Sequence, residues 1–398
     1  MKNLWMRVKE AINDLATIWA DEMKMCIKDE GVLIFFILVP LAYPLLYSWI
    51  YNNEVVREVP VAVVDLNHST LSREFIRKCD ASPDVNVTYH CNSLAEAREL
   101  MGRQEVYGVL YLPSDFEQLL NRGEQASVGV YCDMSLMLTY KAIYMTAMTV
   151  SSAMNSDIQI QNSSLTATTQ RDEEITTKPL DFEEVPIFNP TGGYGNAVLP
   201  AVLVIIIQQT LLLGIGLSAG TAREKNRFKS LVSVKEHKNG LFRIVGGKAL
   251  CYFMIYAVLT AYLTLVVPKI FSFTTIASGR DLLGLMFPYL LSCIFFGMFL
   301  SCLIRYRENV MLIVVFTSLI LLFMTGVSWP ESNIPGFWQG VSWLFPSTFG
   351  VRGFLTLSSM GGGLETVEPE YAALWIQTVV YFLATCIVYQ VQVNRASK

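Results

Sequence analysis

The chain has 398 residues, of which 53% are hydrophobic, with a mean hydropathy of +0.40 and a formal net charge of −4. This composition is typical of a polytopic membrane protein rather than a large soluble enzyme. The slightly acidic balance implies no nucleic-acid partner.

Six apolar windows run along the chain, and each is long enough to cross a hydrocarbon core that needs ~20 helical residues. They are residues 31–51, 197–219, 250–271, 282–304, 310–328 and 372–393. Over such a length in lipid, only a helix pairs all the backbone N–H and C=O groups within the segment itself. The predicted fold is therefore an α-helical polytopic membrane protein with six transmembrane helices and an α/β extracytoplasmic domain between helices 1 and 2.

The first 30 residues alternate apolar and charged positions at helical spacing. We expect residues 1–30 to form a cytoplasmic amphipathic helix that lies along the inner membrane surface before the first span at 31–51. A solvated helix is the alternative. No cleavable signal is predicted.

Residues 52–196 form the predicted extracytoplasmic domain, followed by the remaining spans in 197–398. Strands are expected at 59–64, 85–89, 106–112 and 127–131, and helices at 71–78, 94–101 and 114–121. This alternation is typical of a small sheet covered by helices. A long helix over 138–161 and a polar linker over 162–190 complete the domain.

Three cysteines, Cys79, Cys91 and Cys132, fall in this domain. An oxidising compartment would permit one disulfide among them and leave one thiol over. Because Cys132 ends a predicted strand, Cys79 with Cys91 is the expected pair.

The loop at 220–249 combines lysines and arginines with apolar residues, a pattern that suits docking into a groove on a soluble partner. The general excess of basic residues in cytoplasmic loops explains the charge equally well. If the N-terminus is cytoplasmic, the inside segments hold more than half of the 30 basic residues, so both termini are expected in the cytoplasm and 52–196 outside.

Catalytic motifs are absent from the sequence. His90, Cys91 and Cys79 lack a fourth ligand, so no metal site is predicted. The segment Gly246-Gly247-Lys248-Ala249 lacks the spacing and the Ser or Thr of a P-loop, so this chain is not expected to be an enzyme or an ATPase. No Asp, Glu, Arg or His lies well inside the six windows, which disfavours ion coupling.

Three stretches carry a resemblance to a known family. The first runs from Val61-Ala-Val-Val-Asp65 through Gly108 and Pro113 to Asp133; the second is Arg223-Glu224-Lys225 to Ser230-Leu231-Val232 with Gly247-Lys248; the third runs from Gly326 to Arg352. In this order they resemble the ABC-2 type permease family, in its subgroup with a large extracytoplasmic domain after the first span. The stretch Asn226-Arg227-Phe228-Lys229 departs from the family's usual coupling-loop sequence.

The resemblance implies a half-transporter that pairs with a second permease subunit, as a homo- or heterodimer, and with a separate ATP-binding cassette ATPase. That partner, and not this chain, would bind ATP and Mg. Coupling to the ATPase is assigned to Arg223, Glu224, Phe228, Leu231, Val232 and Lys248. The second and fifth spans would line the path, with Gln208, Gln209, Thr210, Thr317 and Ser318 as cargo contacts; hydrogen bonding between helices is the alternative role for these residues.

The segment 329–371 is dense in aromatic residues and is expected to be an outer re-entrant loop. Its candidate gate or interface residues are Pro335, Trp338, Pro346 and Arg352.

The expected function is export of an amphipathic or hydrophobic cargo, drug or lipid-like, across a bacterial inner membrane and in contact with its lipids. A periplasmic adaptor and an outer-membrane channel are candidate partners. The alternative is a permease-like mechanotransmission or signalling subunit that transports nothing and acts on an extracytoplasmic partner.

Overall fold

The computed structural model describes residues 2–51, 55–163, 189, 193–225, 232–235, 240–304 and 306–396. The chain divides into two compact units, a helical unit (Met1–Glu54 and Pro186–Lys398) and an α/β unit (Val55–Val185). The predicted linker at 162–190 lies almost entirely outside the described residues.

The helical unit contains ten helices among its described residues. They are α1 (Lys2–Lys28), α2 (Glu30–Ile50), α7 (Tyr194–Glu224), α8 (Val232–Lys235), α9 (Gly240–Ile270), α10 (Gly279–Leu303), α11 (Arg307–Met324), α12 (Gly336–Ser342) and α13 (Pro346–Met360), followed by a tenth, α14 (Glu368–Ala396). Helices α3 to α6 belong to the α/β unit. Short 3-10 turns at Glu331–Asn333 and Leu364–Val367 precede α12 and α14.

Six of these helices, α2, α7, α9, α10, α11 and α14, are long and apolar enough to cross a membrane. The six predicted spans are therefore confirmed as helices. Within the apolar windows, 78% of α7 and 72% of α10 are buried in the protein, against 22% of α11. Helices α7 and α10 thus form the centre of the bundle, and α11 lies at its edge.

Helix α2 packs closely against the centre of the bundle at a glycine of α7. A Cβ atom added at Gly214 of α7 would lie only 1.9 Å from the ring of Phe36 in α2. The same ring makes edge-to-face contacts with Tyr252 and Tyr256 of α9, with centroids 5.7 and 5.3 Å apart. Phe36 is fully buried, so α2, α7 and α9 meet at one aromatic side chain.

The predicted outer loop at 329–371 is largely helical. Helix α13 packs against α7, α10 and α14, and it buries Val351, Phe354 and Leu357 completely. A segment buried to this extent is part of the bundle rather than a surface loop. Its interpretation as a re-entrant loop stays a prediction.

The predicted coupling loop at 220–249 is shorter than expected. Helix α7 continues to Glu224 and the next long helix begins at Gly240, so Lys248 is a residue of α9 and not of a loop. The sequence windows ended early because they excluded charged residues, whereas the helices extend beyond their apolar parts. Residues 226–231 and 236–239, and with them Phe228 and Leu231, lie outside the described residues.

The α/β unit has a four-stranded sheet in the order β2-β1-β3-β4. Its elements are β1 (Val59–Asp65), α3 (Thr70–Asp80), β2 (Val85–Cys91), α4 (Leu94–Gly102), β3 (Gly108–Leu112), α5 (Phe116–Asn121), β4 (Gly129–Cys132) and α6 (Met137–Ser163). Strand β1 pairs in parallel with β2 and β3, and β4 is antiparallel to β3. All four predicted strands and the long helix are confirmed.

Strand β2 contains a bulge that changes which face its side chains occupy. Val61 lies opposite Val87, but the next residue of β1, Ala62, lies opposite Tyr89, so Thr88 is an extra residue. One extra residue moves every following side chain to the other face of the sheet. Val85 therefore packs with α3, whereas Cys91 packs with Ala97 of α4.

The predicted Cys79–Cys91 disulfide is wrong, because all three cysteines of this unit are free. Cys79 belongs to the core on the α3 face, and the bulge sends Cys91 to the opposite face. Burial raises the pKa of Cys79 to about 12, so its thiol stays protonated and unreactive at neutral pH.

Candidate functional site: the junction of the N-terminal helix with the bundle

Three carboxylates of the N-terminal region bind three cations that belong to other helices. Asp14 pairs with Arg243 at 2.6 Å, Glu22 pairs with Lys248, and Asp29 pairs with Arg307 at 2.7 Å. We call these three ion pairs the α1 junction. They attach the start of the chain to α9 and to the first residue of α11.

Glu22 is the most buried of the three carboxylates. It accepts hydrogen bonds from Lys248 and Tyr252 of α9 and, at 2.9 Å, from Ser218 of α7. Glu22 is 4% exposed and Lys248 is 6% exposed. Burial raises the pKa of Glu22, but the charge of Lys248 and the three hydrogen bonds outweigh it, so the pKa lies below its usual value.

Two glycines allow α1 to approach α9 closely. A Cβ atom at Gly247 would lie 2.9 Å from Ile18 and 3.2 Å from the backbone oxygen of Leu15. The neighbouring Gly246 has more room, with 3.4 Å to the side chain of Leu15. The Gly246-Gly247-Lys248 segment, which superficially resembled part of a P-loop, thus provides a packing surface and one cation of the α1 junction.

Asp29 holds three helix ends together. Its Oδ1 atom accepts hydrogen bonds from the N–H groups of Gly31 and Val32 at 3.1 and 3.3 Å, which caps the start of α2. The same carboxylate accepts from Thr221 in the last turn of α7 and from Arg307, each at 2.7 Å. One side chain therefore ties α2 to α7 and α11.

Arg223 ties the end of α7 to the end of α10. Its guanidinium donates hydrogen bonds to the backbone oxygens of Ser301 and Ile304. The last carbonyls of a helix have no partner within that helix, and a cation near them is favourable. Arg223 therefore acts as a cap on α10.

Helices α7 and α11 pack along a seam of small residues. A Cβ atom at Gly220 would meet Arg307, and one at Gly216 would meet Val310 at 2.4 Å. This antiparallel register places Gln209, two turns beyond Gly216, about level with Thr317. Gln209 is 9% exposed, and neither its amide nitrogen nor its amide oxygen has a hydrogen-bond partner among the described residues.

Gln208, one residue earlier, has a different environment. Its oxygen accepts a hydrogen bond from the N–H group of Ser347 at 2.7 Å, in the first turn of α13, and the thiol of Cys293 lies 3.8 Å away. Gln208 thus fixes the start of α13 against α7 and α10.

A comparison with family models identifies residues 31–387 as an ABC-2 family transporter protein, a match that covers most of the chain. The chain belongs to the ABC-2 transporter family. It is a multi-pass membrane protein and a transmembrane subunit of an ABC transporter, a class whose members work with an ATP-binding partner subunit. A comparison with curated proteins finds no match.

The ABC-2 coupling residues predicted from the sequence occupy three kinds of environment. Arg223 and Lys248 are bound within the chain, as described above. Glu224 is exposed at the end of α7, and Val232 is half-buried in α8. The predicted role of these four in coupling to an ATPase stays a prediction.

A cavity of about 1000 Å³ lies beside the α1 junction of this ABC-2 permease. Helix α1 contributes Asp21 and Lys24 to its wall, and the end of α7 contributes Lys225. Val234 of α8 also lines it. The cavity therefore adjoins both the N-terminal helix and the segment that follows α7.

The five predicted cargo contacts separate into two groups. Thr210 of α7 donates a hydrogen bond to the carbonyl of Ile206, and Thr317 and Ser318 of α11 likewise bond to carbonyls of their own helix. The amide oxygen of Gln208 accepts a hydrogen bond from the N–H group of Ser347, as described above. Within the described part of the chain, both amide atoms of Gln209 are buried without a partner, and the amide nitrogen of Gln208 is buried without one as well.

The predicted outer residues lie around α12 and α13. Pro335 precedes α12, Trp338 within it is 48% exposed, and Pro346 is the first residue of α13. Arg352 of α13 pairs with Glu331 at 2.6 Å, which links α13 to the turn before α12. These contacts hold the segment in one arrangement, and its role as a gate stays a prediction.

Sequence reasoning missed the three carboxylates of the α1 junction. A signal was present, because positions 14, 22 and 29 are separated by eight and seven residues, about two helical turns each. This spacing places them on one side of the N-terminal helix and its extension, next to buried residues such as Ile18 and Met25. Carboxylates on the packed side of a helix indicate partners elsewhere in the chain.

Proposed function

We propose that this ABC-2 permease is the membrane subunit of an exporter that moves an amphipathic or hydrophobic cargo outward across a bacterial plasma membrane. A separate ATPase supplies the energy and binds ATP and Mg, so this chain is not itself an enzyme. Two permease subunits pair around the path. Both termini, and with them the α1 junction, face the cytoplasm.

The observation that carries the proposal is the linkage of helix ends at the α1 junction. Thr221 and Arg223 stand in the last turn of α7, and through them α7 is bonded to Asp29 and to the end of α10. Asp29 in turn bonds to Arg307 at the start of α11. A force applied to the segment after α7 would therefore reach α2, α10 and α11 together.

The surroundings of this linkage suit a soluble motor. Glu224 and Lys225 are exposed, and the cavity of about 1000 Å³ beside them has charged walls. Basic residues concentrate in this part of the chain, as expected for a cytoplasmic face. The ATPase would contact the segment between α7 and α9 and the adjacent face of α1.

The seam between α7 and α11 supports an amphipathic or hydrophobic cargo. Gln209 has one donor and one acceptor group without partners, and buried amides without partners are costly. Its neighbours in the seam, Leu213, Val310 and Val314, are apolar. A cargo with an apolar body and a hydrogen-bonding group would satisfy this site.

Reconstitution in lipid nanodiscs with the cognate ATPase tests the proposal. We expect candidate amphiphiles to stimulate ATP hydrolysis, and the double variant Glu224→Ala/Leu231→Asp to lose that stimulation while still inserting into the membrane. The control is Glu365→Ala, which removes another exposed carboxylate in the turn before α14.

Stimulation that is unchanged in the double variant would contradict the coupling role. ATP hydrolysis by the purified chain alone would contradict the need for a separate motor. Intact ATP hydrolysis without movement of any cargo into vesicles would favour the mechanotransmission alternative instead.

A further inference from the structure

The α/β unit has a cavity of about 420 Å³ at the carboxyl ends of two parallel strands. It is lined by α3, by the end of β1 at Asp65 and by the end of β2 at His90. Ligands of open α/β sheets bind beyond the carboxyl ends of the strands. The position is therefore one where a binding site is expected.

The bulge in β2 places His90 in this cavity. Val87 precedes the bulge and lies on the α3 face, where regular alternation would send residue 90 to the opposite face. The extra residue, Thr88, reverses the alternation, and its hydroxyl donates a weak hydrogen bond to the carbonyl of Val61 at 3.4 Å. Bulges often redirect a side chain at a functional site, and here the redirected side chain is an imidazole.

The floor of the cavity is apolar and its rim is cationic. Val63, Ile76 and Val87 line the floor, and Val63 and Ile76 are buried. Arg73 and Arg77 stand one helical turn apart on α3, so both face the cavity. With His90, they surround the apolar floor with groups that donate hydrogen bonds.

The two acidic residues of the cavity are already engaged by the protein. Asp65 accepts from the N–H groups of Asn67 and His68, each at 3.0 Å, and from the hydroxyl of Ser72 at 2.8 Å. Asp80 accepts from the N–H group of Val87 at 2.9 Å. Neither acid forms an ion pair with an arginine of the cavity among the described residues.

The basic side chains of the cavity are less fully engaged. Arg73 donates one hydrogen bond to the carbonyl of His68 at 3.0 Å. The side chains of Arg77 and His90 have no hydrogen bond or ion pair within the described ranges. A guanidinium with free donors binds phosphate and carboxylate groups in two-point geometry.

We propose that this cavity binds an anionic amphiphile. The phosphate or carboxylate group lies between Arg77 and His90, and the attached apolar chain covers Val63, Ile76 and Val87. This site shares no residue with the path proposed between α7 and α11, and the proposal does not depend on transport or on an ATPase partner.

The test measures binding to the purified full chain in nanodiscs by calorimetry, without nucleotide or partner. The probes are hexyl phosphate, hexanoate, inorganic phosphate and hexyltrimethylammonium. We expect hexyl phosphate or hexanoate to bind at least about tenfold more tightly than inorganic phosphate, because several buried CH₂ groups contribute. The stronger of the first two identifies the anionic group, and hexyltrimethylammonium should not compete.

Variants locate the binding site. Arg77→Ala and His90→Asn should each weaken binding about tenfold, the effect of losing one hydrogen bond to a charged group. The matched control is Arg98→Ala, an exposed arginine of α4 on the other face of the sheet. Arg77→Lys keeps the charge and should retain part of the affinity, and thermal unfolding of each variant reports whether the unit stays folded.

The proposal is overturned if neither six-carbon anion binds, if inorganic phosphate binds equally well, or if the cationic amphiphile competes. Equal affinity of Arg77→Ala, Arg98→Ala and the wild-type chain would also overturn it. Because the assay contains no ATPase and measures no transport, a negative result does not bear on the exporter proposal.

Discussion

Removing the charge of Glu22 is the most direct test of the α1 junction. Glu22→Gln keeps the size of the side chain but leaves Lys248 as a buried ammonium without its carboxylate. The glutamine can still accept hydrogen bonds from Tyr252 and Ser218, so the main loss is the ion pair.

The expected magnitude follows from the burial of both partners. Because Glu22 and Lys248 are 4% and 6% exposed, solvent screens neither charge effectively. Breaking a buried pair by removing one partner costs about 3–5 kcal/mol. The free energy for opening α1 away from α9 should fall by that amount, which corresponds to a roughly hundred- to few-thousand-fold increase in the opening equilibrium.

Hydrogen exchange measured by mass spectrometry on the chain in nanodiscs detects this opening. Amides in the second half of α1 should exchange faster in Glu22→Gln and in Lys248→Met, while those in the centre of α10 should not change. The double variant should recover much of the protection, because it leaves no buried charge unpaired. Asp21→Asn, which removes an exposed carboxylate at the adjacent position, is the control.

Wild-type protection in both single variants would refute the reasoning, since it would mean that the pair contributes nothing to holding α1. A double variant that loses as much protection as the two single variants combined would also refute it, because the partners would then act independently.

Three further predictions concern neighbouring contacts. Gly247→Ala should lower the protection of α1 by about 1 kcal/mol or more, since its Cβ atom meets Ile18, whereas Gly246→Ala should not lower it in the same exchange measurement. Gln208→Leu leaves the N–H group of Ser347 without its acceptor and should lower the thermal midpoint through a loss of about 1–3 kcal/mol. Because the pKa of Glu22 is lowered on folding from 4.5, its contribution is present above pH 4.5 and should disappear as the pH falls through the lower folded value, seen as faster exchange of α1 after correction for intrinsic rates.

The membrane helices and the α/β unit were predictable because their signals are local. About twenty consecutive apolar residues are required for one span, and alternating strands and helices identify a small sheet. The ends of the spans were less predictable. Helix α7 extends to Glu224 because Thr221 and Arg223 find partners on α10 and near α2, and no hydropathy window contains that information.

The candidate site was only partly predictable for the same reason. Lys248 was singled out as a residue that contacts an external partner, and the structure pairs it with Glu22, which lies 226 residues earlier in the chain. A periodic pattern shows that a carboxylate occupies the packed side of a helix, but it does not identify a partner at such a separation.

The disulfide prediction failed because of one residue. With regular alternation in β2, Cys91 would face α3, where Cys79 lies. The extra residue Thr88 moves Cys91 to the other face and His90 into the cavity. Nothing in the local sequence distinguishes Thr88 from an ordinary strand residue, since threonine is common in strands.

The linkage between Asp29 and Arg307 joins residues that are 278 positions apart. A ribosome adding roughly 5–20 residues per second would need tens of seconds to deliver the arginine after the aspartate has been made. For most of that interval the first helix is complete, whereas the cations that pair with Asp14, Glu22 and Asp29, at positions 243, 248 and 307, have not yet been made. Helix α1 is therefore made before the groups that fix it and is among the last elements to reach its final position, so a nascent chain stopped before residue 248 should leave this helix accessible to a protease.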